Sequence, residues 1–264
     1  MRSIKVSSDD RVFILRKIIN YNMEIKRFFA DAANYDGRNI IVDGEEYVHM
    51  SKVLRHKVGY QIIVNLDDGK DYYCVIKEMN KDFAKAQVEK VVDNECKAPA
   101  SVTLFQALPK GDKLDLITQK CVELGVEKIA PFLSRYVNES KFNLQRANRI
   151  ALEACKQCGR ARKTQIGELL DFESLLATLD EYDTVILPYE HAEIGKISDV
   201  KGMEKGKKIA LIIGSEGGFA KEEVQQIVAK RGQVVSLGKR ILRCETAAII
   251  TSALIMYEMG DLQG

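Results

Sequence analysis

From Val102 to Met259 the chain alternates apolar strand-like runs with amphipathic stretches of helical period, and this rhythm constrains the fold more than any other feature. The runs VTLFQAL, KIAPFL, DTVILPY, KIALIIG and QVVSL are separated by predicted helices over Lys113–Leu124, Leu144–Cys158, Lys221–Lys230 and Thr246–Met259. Alternation of this kind builds a largely parallel sheet with helices on both faces, the α/β class. KIALIIG has no polar residue after its lysine, as a strand buried on both faces requires, so it is placed at the sheet centre. Ligands of open parallel sheets sit at the carboxyl ends of strands, which directs attention to the loops leaving ILPYE, ALIIGSEGG and VVSLGKR.

The chain before this region has a different rhythm. From Glu24 to Val92, short strand patterns are punctuated by Asp36-Gly37 and Asp68-Gly69, which predicts a small β unit. One helical interruption, Glu46–His56, has Lys52, Arg55, His56 and Lys57 beside its apolar Val48, Val53 and Leu54, which gives the unit a basic end. Asp93–Ala100 is polar, contains a proline and reads as a linker. A chain of 264 residues accommodates two such domains.

Lys and Arg total 40 against 38 Asp and Glu, so the net charge of +2 excludes a uniformly basic protein, and any basic surface must be local. One local bias stands out. Between Arg135 and Lys163 there are eight basic residues against two acidic ones, Glu139 and Glu153. This is either a phosphate-binding face or a solvated helix face.

The longest apolar stretch, Ala247–Met256, is shorter than the ~20 residues that span a bilayer and is interrupted by Thr251 and Ser252. The beginning of the chain lacks the apolar core and small-residue cleavage site of a secretion signal. Six scattered cysteines read as reduced thiols of a cytoplasmic protein. Cys155 and Cys158 form a CxxC without a second pair, so packing is the preferred reading and no metal site is expected.

Gly214-Ser215-Glu216-Gly217-Gly218 follows the apolar strand and opens a helix, where glycines let backbone N–H groups approach a ligand and the helix N-terminus favours negative charge. Its spacing is neither that of a dinucleotide fingerprint nor that of a P-loop. About twenty residues on, Leu237-Gly238-Lys239-Arg240-Ile241-Leu242-Arg243-Cys244-Glu245-Thr246-Ala247 joins a strand end to an apolar helix, with Thr246 as the expected N-cap. Together the two loops point to a small-molecule site.

These residues, with Lys26-Arg27-Phe28-Phe29, His49-Met50-Ser51-Lys52-Val53-Leu54-Arg55, Leu108-Pro109-Lys110-Gly111-Asp112-Lys113, Lys120, Glu123-Leu124-Gly125, Arg149, Glu153-Ala154, Gln157 and Arg160, run co-linearly with a known pattern. Over Met23–Leu262 the chain resembles the RsmE-type ribosomal RNA methyltransferases of the SPOUT superfamily, which methylate N3 of a uridine in small-subunit ribosomal RNA with S-adenosylmethionine. That family often has proline where Ser215 stands.

The resemblance implies an N-terminal PUA-like β-barrel that helps hold RNA (residues 23–95) and a SPOUT methyltransferase domain with a trefoil knot (residues 96–264). Residues 1–22 have no counterpart and read as an upstream start or an appended segment, with a basic amphipathic helix as the rival. A homodimer through the knotted domain is implied, and the apolar helix Ala247–Met259 suits it.

For the cofactor, the resemblance implies Leu187, Pro188, Ile213, Gly214, Ser215, Glu216, Gly217, Gly218, Leu237, Gly238, Leu242, Thr246 and Ala247. For catalysis it leaves Glu245 as a candidate base and Arg243 as a candidate stabiliser of charge on the uracil carbonyls. For RNA, in the naked small-subunit form or the assembled particle, the candidates are Arg27, Lys52, Arg55, Lys110, Lys113, Arg149, Arg160 and Arg162. Two other readings stay open: a SPOUT enzyme acting on a ribose hydroxyl or transfer RNA, and a non-catalytic RNA-binding assembly factor.

Overall fold

The computed structural model describes residues 25–137, 141–192 and 195–263. Residues 1–22, expected to stand apart as an extension, lie outside this range, as does Glu139 of the basic segment. The chain divides into two compact units between Asp93 and Asn94.

The first unit is a five-stranded sheet made of β1 (Arg27–Phe29), β2 (Asn39–Val42), β3 (Gln61–Asn65), β4 (Lys70–Met79) and β5 (Ala84–Asp93), in the spatial order β1-β3-β4-β5-β2. A short helix, α1 (Gly44–Val48), runs into a π-turn over His49–Val53. Alternating apolar residues fill its core, among them Phe28, Ile40, Ile62, Val64 and Ile76, all fully buried, with Met50 brought in from the π-turn.

Arg27, expected to contact RNA, belongs to this packing instead. Its guanidinium pairs with Asp71 and donates to Asn65 Oδ1 at 2.8 Å, while Asn65 Nδ2 donates to Asp71 at 2.8 Å. Its side chain is 12% exposed, and the residues it joins lie on β1, β3 and β4. A charge this buried needs its partner, so it is not available to a phosphate.

The second unit is a six-stranded parallel sheet. Its strands are β6 (Ser101–Ala107), β7 (Lys128–Phe132), β8 (Gln165–Ile166), β9 (Thr184–Pro188), β10 (Lys208–Ile213) and β11 (Gly232–Val235), in the order β11-β9-β10-β6-β7-β8. The apolar strand β10 is central as expected: it pairs in parallel with β6 (Leu211 opposite Leu104) and with β9 (Ala210 opposite Val185). The helices are α2 (Lys113–Glu123), α3 (Leu144–Cys158), α4 (Phe172–Thr178), α5 (Lys221–Ala229) and α6 (Cys244–Glu258). Asn143 accepts from the Arg146 amide at the start of α3, and Gly159, at φ 86°, ends it in the left-handed conformation. The helix α4 went unread because seven residues make only about two turns, too few to establish a period.

α6 begins at Cys244, with Arg243 as its N-cap residue, so Thr246 is not the cap expected of it. Both polar interruptions of this helix find partners, one on the helix itself and one on α2. The Thr251 hydroxyl donates to the Ala247 carbonyl at 2.7 Å, and Ser252 Oγ lies 3.7 Å from Cys121 Sγ on α2. No helix among the described residues is long and apolar enough to cross a membrane.

Arg160, placed by the sequence reading on an RNA-binding face, is buried. Its Nη1 donates to the carbonyls of Val122 (3.0 Å) and Val126 (2.8 Å) and to Thr164 Oγ1 (2.9 Å). Val122 lies in the last turn of α2, where the helix dipole is negative, so the guanidinium adds a charged donor to a carbonyl that the Gly125 amide already reaches at 3.0 Å, and ties it to Val126 just beyond the helix. Replacing Arg160 by Ala removes the one charged donor shared by Val122, Val126 and Thr164 and should destabilise the protein by about 1–3 kcal/mol in denaturant unfolding. The salt dependence of RNA binding should be unchanged; a flatter salt dependence would return Arg160 to the RNA face.

Candidate active site

Because β11, β9 and β10 are neighbours and parallel, their carboxyl ends, Val235, Pro188 and Ile213, deliver three loops to one edge of the sheet. These are the three loops singled out from sequence. They form a single cleft of about 650 Å³, open mouth included, lined by Pro188, Ile213, Gly214, Ser215, Gly218, Leu237, Gly238, Leu242 and Ala247 among the expected residues. Four expected residues are elsewhere. Leu187 points into the sheet core and is fully buried. Glu216 and Gly217 line a neighbouring cavity. Thr246 sits in the first turn of α6, off the cleft wall.

The cleft also contains residues the sequence reading passed over, chiefly Tyr189, Glu190, Phe219 and Cys244. Tyr189 and Glu190 immediately follow Pro188, so the strand end already pointed to them. Gly218 explains its own identity: it sits at φ +64°, and a Cβ there would lie 2.6 Å from Glu190 Oε1. A Cβ on Gly214 would press on Phe219 at 3.1 Å.

Below this loop, Glu216 ties two segments together. It accepts from Lys113 Nζ at 2.5 Å and from the Lys110 amide at 3.2 Å, joining the β10–α5 loop to the start of α2. Partial burial raises the Glu216 carboxyl, but the hydrogen bonds from Lys113 and the Lys110 amide, with the lysine's charge, outweigh it and hold the group below its ordinary value. The hydrogen bond to Glu216 raises the Lys113 ammonium in turn. Lys113, expected to meet RNA, is therefore committed to this ion pair.

At the start of α6, Cys244 Sγ donates to Glu245 Oε2 at 3.3 Å. Burial, and then that carboxylate, push the thiol up to about 12, so it stays a protonated donor rather than a nucleophile. Glu245 and Arg243 are at the helix start beside the cleft, Glu245 half-buried and Arg243 exposed, but neither lines it.

The basic segment is divided by its partners. Arg135 pairs with Glu222, Arg146 with Asp115, and Lys156 with Glu153, the lysine side chain only 7% exposed. Arg149, Arg162, Lys141 and Lys163 are exposed, as are Lys110 beside the site and, in the first unit, Lys52 and Arg55. Arg55 holds φ +54°, an uncommon conformation for a side chain of its size. Among the described residues, no group of three or more His, Cys, Asp or Glu side chains could hold a metal ion.

A family model for an RNA methyltransferase domain matches residues 96–256, and one for an RNA methyltransferase PUA domain matches residues 42–89. The ribosomal RNA small subunit methyltransferase E of Bacillus subtilis is 32% identical over 234 residues, covering 84% of this chain and 91% of the relative. Among solved structures, ribosomal RNA small subunit methyltransferase E from Neisseria gonorrhoeae, bound to S-adenosylmethionine, is similar with a TM-score of 0.78 and 27% identity, covering 89% of this chain and 98% of that one. A methyltransferase from Legionella pneumophila in complex with the same cofactor gives a TM-score of 0.80 at 25% identity and the same coverage.

The Lys113–Glu216 tie has a defined pH window. The lowered carboxyl contributes stability above its unfolded value near 4.5 and loses it as pH falls through the folded value. The raised lysine contributes below 10.5 and loses it as pH rises through its own folded value. The difference in Tm between the parent and Glu216→Gln should therefore be constant at neutral pH and vanish below the depressed Glu216 value. A difference that persists into strong acid would show that the carboxylate contributes nothing as an anion.

Proposed function

The chain belongs to the RNA methyltransferase family defined by that domain, and from this premise we propose that it methylates small-subunit ribosomal RNA at N3 of a uridine, using S-adenosylmethionine. The observation that carries the reading is the cleft where the ends of β9, β10 and β11 converge. Its walls fit such a cofactor. Ile213, Leu237, Leu242 and Ala247 offer apolar surface to an adenine, Glu190 offers an acceptor for hydroxyl or amino groups, and Gly214, Gly218 and Gly238 keep the backbone within reach. At Gly238 a Cβ would meet nothing within 4 Å.

S-adenosylmethionine, when bound, supplies an electrophilic methyl group on a sulfonium. The rest falls to the chain. Neutral uracil carries a proton on N3, so that proton must leave as the N–CH3 bond forms. Glu245, at the helix start beside the cleft, is the candidate to receive it, and the hydrogen bond from the Cys244 thiol supports that carboxylate's orientation. Arg243, exposed at the same helix start, steadies negative charge on the uracil carbonyls. N3 is occupied in a base pair, so the target must be unpaired or flipped out.

RNA is held by the exposed cations Arg149, Arg162 and Lys110, and by Lys52 and Arg55 of the N-terminal unit, whose PUA-type match supports an RNA-holding role. The C-terminal domain threads a trefoil knot and forms a homodimer. Ile250, Leu254 and Tyr257, spaced one helical turn apart on α6, expose an apolar stripe that supports the dimer. The enzyme acts where ribosomal subunits are assembled, in the cytoplasm.

The test is methylation of an unmodified small-subunit ribosomal RNA, naked and in assembled particles, followed by nucleoside analysis. N3-methyluridine is expected; a 2′-O-methylated nucleoside, or no product with either substrate, would overturn the proposal. Arg243→Ala should lower the single-turnover rate at saturating RNA with little change in salt slope. Arg149→Ala with Arg162→Ala should instead flatten the slope of log affinity against log salt by about 1.4–1.8 units, because each lost phosphate contact contributes about 0.7–0.9.

A further inference from the structure

Beside the cleft lies a second cavity of about 800 Å³, open mouth included, lined by Leu108, Lys110, Tyr136, Val137, Ser215, Glu216 and Gly217. Ser215 belongs to both walls. It is 8% exposed, and its hydroxyl has no hydrogen-bond partner among the described residues. A buried hydroxyl left without a partner costs roughly 1–3 kcal/mol, so the chain carries this defect in the free state unless a ligand removes it.

Another segment of the lining carries an exposed aromatic ring. Tyr136 is 49% exposed at the tip of a turn closed by the Val137 amide donating to the Ser134 carbonyl at 3.0 Å. The turn is anchored from behind by the buried carboxylate of Glu223, which accepts from the Arg135 amide and from the Ala220 amide, each at 2.8 Å. The glycine loop lies directly against it: a Cβ on Gly217 would fall 2.7 Å from Tyr136 Cβ. The ring is thus exposed on a turn whose backbone is held by two hydrogen bonds, with Lys110 exposed in the same lining.

We propose that this second cavity receives the unpaired target base, with Tyr136 as its stacking face and Ser215 as the group that reads its polar edge. The inference rests on the assignment of the adjoining cleft to the methyl donor. A nucleobase has the two surfaces the cavity asks for: a flat π-face for an exposed ring, and an edge of carbonyls and N–H groups for a lone hydroxyl. A phosphate following that base would meet Lys110. On uracil, N3 lies between two carbonyls, so a hydroxyl bonded to either one also fixes the direction of N3. Because Ser215 stands in the wall shared by both cavities, a base held by it is held at the boundary with the donor. Ser215 is a positioning residue here, and no proton passes through it.

The test uses the full-length protein with an unmodified transcript of small-subunit ribosomal RNA and with S-adenosylmethionine. Tyr136→Ala should raise the half-saturating RNA concentration by about 5- to 150-fold, the effect of losing one base–aromatic stack, while Tyr136→Phe stays near the parent. Ser215→Ala should slow single-turnover methylation at saturating RNA. Calorimetric affinity for S-adenosylmethionine should be unchanged in both Tyr136 variants, which also certifies that they fold; Ser215→Ala, whose residue also lines the donor cleft, is compared at saturating S-adenosylmethionine. An RNA dependence of Tyr136→Ala equal to the parent's would overturn the inference. So would a Ser215→Ala variant whose defect lies wholly in cofactor affinity. If the parent itself fails to bind S-adenosylmethionine, the assignment of the cleft falls first, and this inference falls with it.

Discussion

The burial of β10 on both faces, between β6 and β9, is the constraint on which the rest of the site depends. Ile209, Ala210, Leu211 and Ile212 are completely excluded from solvent, so the strand has no alternative at the sheet's edge. Once β10 is central and β9 and β11 pair in parallel on one side of it, three loop beginnings are brought within one cleft. None of the glycines at 214, 218 and 238 has to attract another; the sheet brings them together. The glycine at 218 is then required by its neighbour, since Glu190 occupies the space where any side chain would project.

Charge inside this framework is used mostly for construction. Three of the cations expected to meet RNA are engaged with the protein itself: Arg27 with Asp71, Lys113 with Glu216, and Arg160 with the carbonyls that end α2. Each joins segments far apart in sequence, and each depends on a partner a one-dimensional reading cannot locate. The cations left exposed, Arg149 and Arg162 among them, lie in the same stretches of chain. Local charge excess therefore counted as RNA contacts several cations that the fold uses in its own construction.

What was legible followed from periodicity and from strand ends. The parallel sheet, the centrality of KIALIIG, the bounds of α3 and the three loops were all readable, because burial and capping leave local marks such as Asn143 and Gly159. The start of α6 was not, because Arg243 takes the cap through its backbone conformation with no side-chain signal. Nor was the second cavity. Tyr136 and Ser215 are about eighty residues apart, and only the close approach of Gly217 to the turn at Tyr136 brings them to one cavity. The division of the glycine loop between two cavities, Gly214 and Gly218 facing one and Glu216 and Gly217 the other, is likewise a product of its fold.

The central claim is that this geometry acts on one uridine of the small ribosomal subunit. Mass-spectrometric mapping of small-subunit ribosomal RNA, from cells with and without the gene for this protein, tests it most directly. The account predicts that a single N3-methyluridine disappears without the protein and returns when the parent chain is supplied. An unchanged map, or loss of a ribose methylation or a transfer-RNA modification instead, would contradict it.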